Sequence, residues 1–146
     1  MRIALYQPDI AGNVGAILRT AACFGVACDI IEPCGFAFST RSLKRAGMDY
    51  MDHVQITRHA NWDSFFQTVT GRILLFSSKG SVDIGAAQFR SDDILLMGSE
   101  GTGVPAHIHD IADLRVHIPM QTGFRSLNVS VAAGIGMAEA LRQIAQ

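Results

Sequence analysis

Four short apolar runs, RIALY, CDIIE, RILLF and DILLM, break off at proline, serine or glycine, with stretches of helical character between them. Runs of this length, rich in aliphatic residues and closed by turn formers, read as strands, and the most apolar of them as strands covered on both faces. Strand, helix and strand in alternation call for parallel pairing through crossover helices. The chain is therefore expected to form one parallel-sheet α/β domain over residues 1–146.

In order along the chain, Arg2 to Tyr6 is the first strand. A glycine-bearing turn then leads into a helix that sets Ile17, Leu18, Ala21 and Phe24 on one side. Asn13 stands at the mouth of this helix and Arg19 lies within it. Burying an unpaired guanidinium is costly, so Arg19 is either a snorkelling surface arginine or one aimed into a cleft at a phosphate or a hydroxyl. Cys28 to Glu32 is the second strand, closed by Pro33. Beyond it, RSLKRAG reads as a short helix with Arg41, Lys44 and Arg45 on one face, the densest positive cluster in the chain. Such a face is either simply solvated or a contact for phosphates. Val54 to Thr57 reads as a strand. The spacing of Trp62, Phe65 and Phe66 is that of a helical core face, which favours packing over base stacking for Trp62.

The loops after the later strands are where an α/β sheet binds ligands. RILLF empties into SSKG, which places Ser77, Ser78 and Lys79 for a polar role. Asp83 to Phe89 reads as loop or short helix. Ile94 to Met97 runs into GSEGTG, a glycine-rich segment whose backbone can wrap a ligand and offer N–H groups to it. No GK[ST] follows, so this is not a P-loop, and no GxGxxG with a distant ribose-binding acid is present. Pro105 opens a short helix through Ile108 and Ile111, and Leu114 to Ile118 is the last strand, stopped by Pro119. After the loop MQTGFRS, an apolar helix starts from Leu127, capped by Ser126 or Asn128. Gly134 and Gly136 inside it cost about 1 kcal/mol each relative to alanine. Close approach of another backbone is the expected compensation, from a crossing helix of this chain or the same helix of a second subunit.

A net charge of -1 excludes a protein that is basic overall, so any RNA must be held by a local patch, one that a dimer could double. No stretch supplies 18 apolar residues, and neither a leader-like run nor a lipidation motif is seen; a soluble, cytoplasmic protein without membrane contact is expected. Cys23, Cys28 and Cys34 lack paired CxxC spacing and read as reduced, mostly buried thiols. His53, His59, His107, His109 and His117 show no metal-ligand spacing, so no metal is expected, and no Ser-His-Asp or Cys-His arrangement can be traced.

The segments NVGAILRT, IIEPCGFAF, LKRAGMDY, TRH, SKG, GSEGTGVP, HIPM and RSLNVSVA, in this order and spacing, resemble the motifs of the SPOUT class of RNA methyltransferases. Within that class they are most similar to the TrmL/YibK-like group of tRNA (cytidine/uridine-34-2'-O)-methyltransferases, and the resemblance covers essentially the whole chain. It implies about six parallel strands, a deep C-terminal trefoil knot, and a homodimer built through the first and last helices. It also implies S-adenosyl-L-methionine bent in the knot, in contact with Phe76, Gly98, Ile118 and Ser126, with Met120 and Leu127 lining an adenine slot. A neutral purine needs an apolar slot with backbone donors and acceptors, which strand-end loops can supply.

The same resemblance implies 2'-O-methylation of the wobble nucleotide in a tRNA anticodon stem-loop. Methyl transfer to a ribose hydroxyl requires that hydroxyl to be oriented, deprotonated and placed in line with the methyl. Asn13 and Arg19 match the first motif, with the arginine approaching the ribose; Glu100, Ser126 and Asn128 match positions that orient it or the substrate, and Arg125 the phosphate beside the target. Because a guanidinium normally stays protonated, orientation and charge stabilisation are the leading roles for Arg19, with proton removal by the arginine as the minority alternative. Two departures stand out: relatives often carry an arginine in the loop written here as GSEGTG, and a tyrosine where this chain has Ala138. The competing expectations are a SPOUT enzyme for another tRNA or rRNA ribose, a non-catalytic RNA-binding dimer, and a nucleotide-binding α/β protein without RNA.

Overall fold

The computed structural model describes residues 1–39, 41 and 50–145. Its strands are β1 (Arg2–Tyr6), β2 (Ala27–Ile31), β3 (Ile56–His59), β4 (Ile73–Phe76), β5 (Val82–Asp83), β6 (Ile94–Met97) and β7 (Leu114–His117). They pair in parallel as one sheet in the order β3-β2-β1-β6-β4-β7-β5. Crossovers include the helices α1 (Ala11–Phe24), α2 (Trp62–Phe66) and α3 (Ala106–Ile111), and α4 (Val129–Ile144) closes the chain. All four residues of β6 are buried. Leu95 and Met97 enter the core layer containing Ile17 and Leu18 of α1 and Met137 of α4, whereas Ile94 and Leu96 enter the layer of Phe65 and Ile108. Both faces of β6 are thus covered, the condition under which an unalternating apolar strand is stable.

Several expectations are corrected. The third strand begins at Ile56 because Met51–His53 forms a 3-10 turn before it. The Asp83–Phe89 region is neither plain loop nor helix: Val82 and Asp83 add to the sheet beside Val116 and His117, and the Asp83 carboxylate then accepts the Gly85 N–H at 2.9 Å. The sheet has seven strands among the described residues rather than about six, the extra one being this two-residue edge. The Trp62 helix is only five residues long, capped by the reciprocal Asn61 and Ser64 bonds. Trp62 packs on Tyr6 and Phe65 as expected of a core face, but Phe66 is left exposed. Phe24 and Ile111 are also exposed, each at the last turn of its helix.

The three thiols differ. Cys23 is exposed, Cys28 buried and Cys34 half-buried, so "mostly buried" fails for Cys23, which lies on the outer face of α1. Burial, reinforced by Asp29, pushes the Cys28 thiol far up. Burial, followed by the nearby Glu32 carboxylate, raises Cys34 to about 11. Asp29, buried in β2, is ion-paired with Arg2 at 2.7 Å and bonded to His59 Nε2 at 2.7 Å. His59 is therefore a satisfied sheet residue.

Candidate active site

The carboxyl ends of β4, β6 and β7 open into a cavity of about 610 Å³. All six residues expected to hold the cofactor, Phe76, Gly98, Ile118, Met120, Ser126 and Leu127, line it. The local chain explains why. After β6 the glycine loop folds back on itself, with Ser99 N–H donating to the Gly103 carbonyl at 3.0 Å and Gly103 N–H returning to Ser99 at 2.9 Å. A side chain at Gly98 would place Cβ 2.8 Å from the Gly103 carbonyl carbon. Gly98 is therefore required for the fold-back, and its backbone stays open to the cavity. Phe76 reaches the cavity wall because α4 has no side chain at Gly136, where a Cβ would sit 2.7 Å from the ring.

This revises the reading of the two helix glycines. Gly136 admits an aromatic ring from its own chain rather than another backbone. At Gly134 an added Cβ meets nothing within 4 Å.

Three of the expected catalytic residues form one hydrogen-bonded chain on the cavity rim. Asn128 Nδ2 donates to Asn13 Oδ1 at 3.0 Å, and Asn13 Nδ2 donates to Glu100 Oε1 at 2.9 Å. The second oxygen of Glu100 accepts the Asp9 N–H at 2.8 Å, while the Asp9 carboxylate accepts the Gly101 N–H at 3.0 Å. An ionised carboxylate only accepts, so Glu100 dictates the direction of the whole chain and the way both amides face. Asn128 is also the cap of α4, its Oδ1 accepting from Ser130 N–H at 2.8 Å. The helix starts at Val129, and of the two candidate caps Asn128 serves.

Arg125 lines the cavity, as do Lys79 and His109. His109 was not singled out in the sequence; its position one residue beyond the buried Ile108, on the helix that follows the glycine loop, was the available signal. Lys79 is found where the strand-end argument put it. Arg19 is the departure: it does not line the cavity of its own chain. It is exposed on α1, with its guanidinium carbon 4.9 Å from the centre of the Tyr50 ring. Arg41 is exposed, and Lys44 and Arg45 lie outside the described residues, so the basic face they were expected to form does too. Among the described residues no His, Cys, Asp or Glu cluster could hold a metal ion, and no helix is long and apolar enough to cross a membrane.

The cavity's size falls within the range of small-molecule sites, about 300–1,000 Å³. Its walls combine apolar side chains such as Leu75, Val104 and Leu127 with the exposed backbone of the glycine loop, which suits a purine nucleoside bearing a polar tail. A parallel α/β sheet with such a strand-end pocket closed by a C-terminal helix defines a nucleoside-cofactor enzyme, and the chain belongs to the SpoU rRNA Methylase family, whose model matches residues 1–138. Among its relatives is the tRNA (cytidine(34)-2'-O)-methyltransferase of Beijerinckia indica, 52% identical over 145 residues, which cover 97% of this chain and 91% of the relative. A solved structure concerned with the 2-OH methylation of C/U34 on tRNA superposes with a TM-score of 0.92 at 39% identity, covering 97% of this chain and 94% of that one. An AdoMet-bound rRNA methyltransferase from Sinorhizobium meliloti superposes with a TM-score of 0.85 at 30% identity, covering 97% of this chain and 55% of that one.

Proposed function

We propose that this protein is an S-adenosyl-L-methionine-dependent 2'-O-methyltransferase for the wobble nucleotide of tRNA, cytidine or modified uridine at position 34, acting as a cytoplasmic homodimer. In this reading the whole chain is one SPOUT domain with a deep C-terminal trefoil knot. The observation that carries the proposal is the convergence of Phe76, Gly98, Ile118, Met120, Ser126 and Leu127 on one cavity whose rim holds Asn13, Glu100 and Asn128.

Those six residues would hold the cofactor, which when bound supplies an electrophilic methyl group on sulfonium. The Glu100-directed amides of Asn13 and Asn128 hold the substrate's ribose in register, and Ser126 contributes a hydroxyl at the same rim. Arg19 orients the ribose hydroxyl and stabilises the charge that develops on its oxygen as the methyl is transferred. Because Arg19 lies outside its own chain's cavity, it serves the cavity of the second protomer. The dimer seam proposed here joins the outer stripe of α1, with Gly12, Ala16, Arg19 and Cys23, to that of α4, with Val131, Ile135 and Ala138, all exposed in the single chain. Arg41, Lys44, Arg45 and Arg125 contact phosphates of the anticodon stem-loop.

The test is mass spectrometry of tRNA nucleosides from cells with and without the gene, joined to transfer of labelled methyl from the cofactor to purified tRNA. Loss of the 2'-O-methyl at nucleotide 34 is expected. An unchanged tRNA profile with a missing rRNA ribose methyl would favour the second reading, a ribosomal target, which the S. meliloti neighbour supports. Binding of tRNA without turnover would support the non-catalytic dimer.

A further inference from the structure

Phe124 is, at 74%, the most exposed large apolar side chain among the described residues. It belongs to the stretch 121–128, exposed at every position. Gly123 turns the chain just before it at φ 99°, a conformation that side-chain-bearing residues rarely adopt. The Phe124 N–H closes this turn on the Gln121 carbonyl at 3.4 Å. The turn at Gly123 therefore presents the Phe124 ring to solvent at the tip of the loop, and the next three residues, Arg125, Ser126 and Leu127, line the cavity.

A single ring flanked by Thr122, Gly123 and Arg125 is too small to seat a protein, since specific interfaces bury about 800 Å² on each partner. It matches the flat face of a nucleobase, and the adjoining cation matches the phosphate that joins one nucleotide to the next. Unpaired bases splayed from RNA loops are recognised in this way. We propose that Phe124 is a base-stacking residue: it takes an unpaired nucleobase beside the nucleotide whose ribose enters the cavity, while Arg125 holds the phosphate between them. The proposal rests on the methyltransferase reading and names how the same site grips its RNA.

The test compares Phe124→Ala, Phe124→Leu and Phe124→Trp with wild type in KM for tRNA, KM for the cofactor, kcat, direct tRNA binding and oligomeric state by sedimentation. Ile111→Ala, an exposed apolar position that does not line the cavity, is the control. Alanine and leucine should each weaken tRNA binding and raise its KM by about tenfold, with cofactor KM and oligomeric state unchanged. Tryptophan should retain wild-type binding, its fluorescence quenched by tRNA. The proposal is overturned if alanine leaves tRNA binding intact, if leucine rescues as well as tryptophan, or if alanine dissociates the oligomer, which would make the ring part of a seam between copies. If wild type binds tRNA in a Phe124-dependent way yet transfers no methyl, stacking stands and the catalytic reading falls. If wild type does not bind tRNA, both fall.

Discussion

Asn13 Nδ2 donates to Glu100 Oε1 at 2.9 Å, joining the start of α1 to the glycine loop across 87 residues of sequence. With Asp9 N–H on its other oxygen, the carboxylate is the fixed end from which the orientation of both rim amides follows. Glu100→Gln puts an amide N–H against one of two existing donors. A loss of about 1–2 kcal/mol in unfolding free energy is expected from the broken bond. A fall in kcat of up to about a hundredfold is expected from the misplaced rim, with cofactor affinity close to wild type. Denaturant unfolding and steady-state kinetics read the two effects separately; an unaltered kcat would remove Glu100 from the site.

Arg19→Ala should abolish methyl transfer while cofactor binding and the oligomeric state stay near wild type, because its proposed work is at the ribose hydroxyl and not at the cofactor. Calorimetric titration of the cofactor and sedimentation check this. Loss of cofactor affinity would mean that the arginine belongs with the cofactor contacts instead.

The two helix glycines should respond oppositely. Gly136→Ala drives Cβ toward the Phe76 ring, so the ring must turn into the cavity; cofactor affinity is expected to fall by about tenfold or more, equivalent to about 1.4 kcal/mol. Gly134→Leu fills space that is open in one chain and should weaken the proposed dimer while circular dichroism of the protomer is retained. An oligomeric state indifferent to Gly134→Leu would move the proposed seam off this face of α4.

Gln143 ties α4 to the chain before β6: its Oε1 accepts the Phe89 N–H at 3.0 Å and its Nε2 donates to the Ala87 carbonyl at 3.0 Å. Both of those residues are buried. Gln143→Ala leaves two backbone groups unsatisfied, and a loss of about 1–3 kcal/mol is expected, measured as a lower urea midpoint with an unchanged slope.

Cys34 titrates near 11 because burial and then Glu32 disfavour its thiolate. The raised value keeps it protonated at neutral pH. In a Cys23→Ser protein, alkylation of Cys34 should therefore be slow at pH 7 and rise about tenfold per pH unit toward 10, since the thiolate is the nucleophile. Cys28, fully buried, should stay unlabelled until unfolding. A plateau below pH 9 would contradict the stated surroundings of Cys34.

The elements most legible in the sequence were those whose chemistry is local. Ile94–Met97 announced a doubly covered strand by lacking any polar alternation, and GSEGTG announced a tight loop by its glycines. Val82–Asp83 was not legible because two residues carry no period, and only pairing with Val116 and His117 makes them a strand. Gly134 and Gly136 look alike in the sequence; Phe76, sixty residues away, separates them. Asp9 and His109 reach the site through contacts across the fold, which no spacing encodes, and the outward position of Arg19 follows from which face of α1 met the sheet.

The enclosure of Ile94–Met97 on both sides also divides the thermodynamics of ligand capture. The wall that continues from it into Gly98 is ordered before anything arrives, whereas the side chains of Gln121, Thr122, Phe124, Arg125, Ser126 and Leu127 stand in solvent. The rotamer freedom surrendered on association then falls mainly on those side chains, and amide exchange on ligand addition should slow in that loop while the buried strand shows no change.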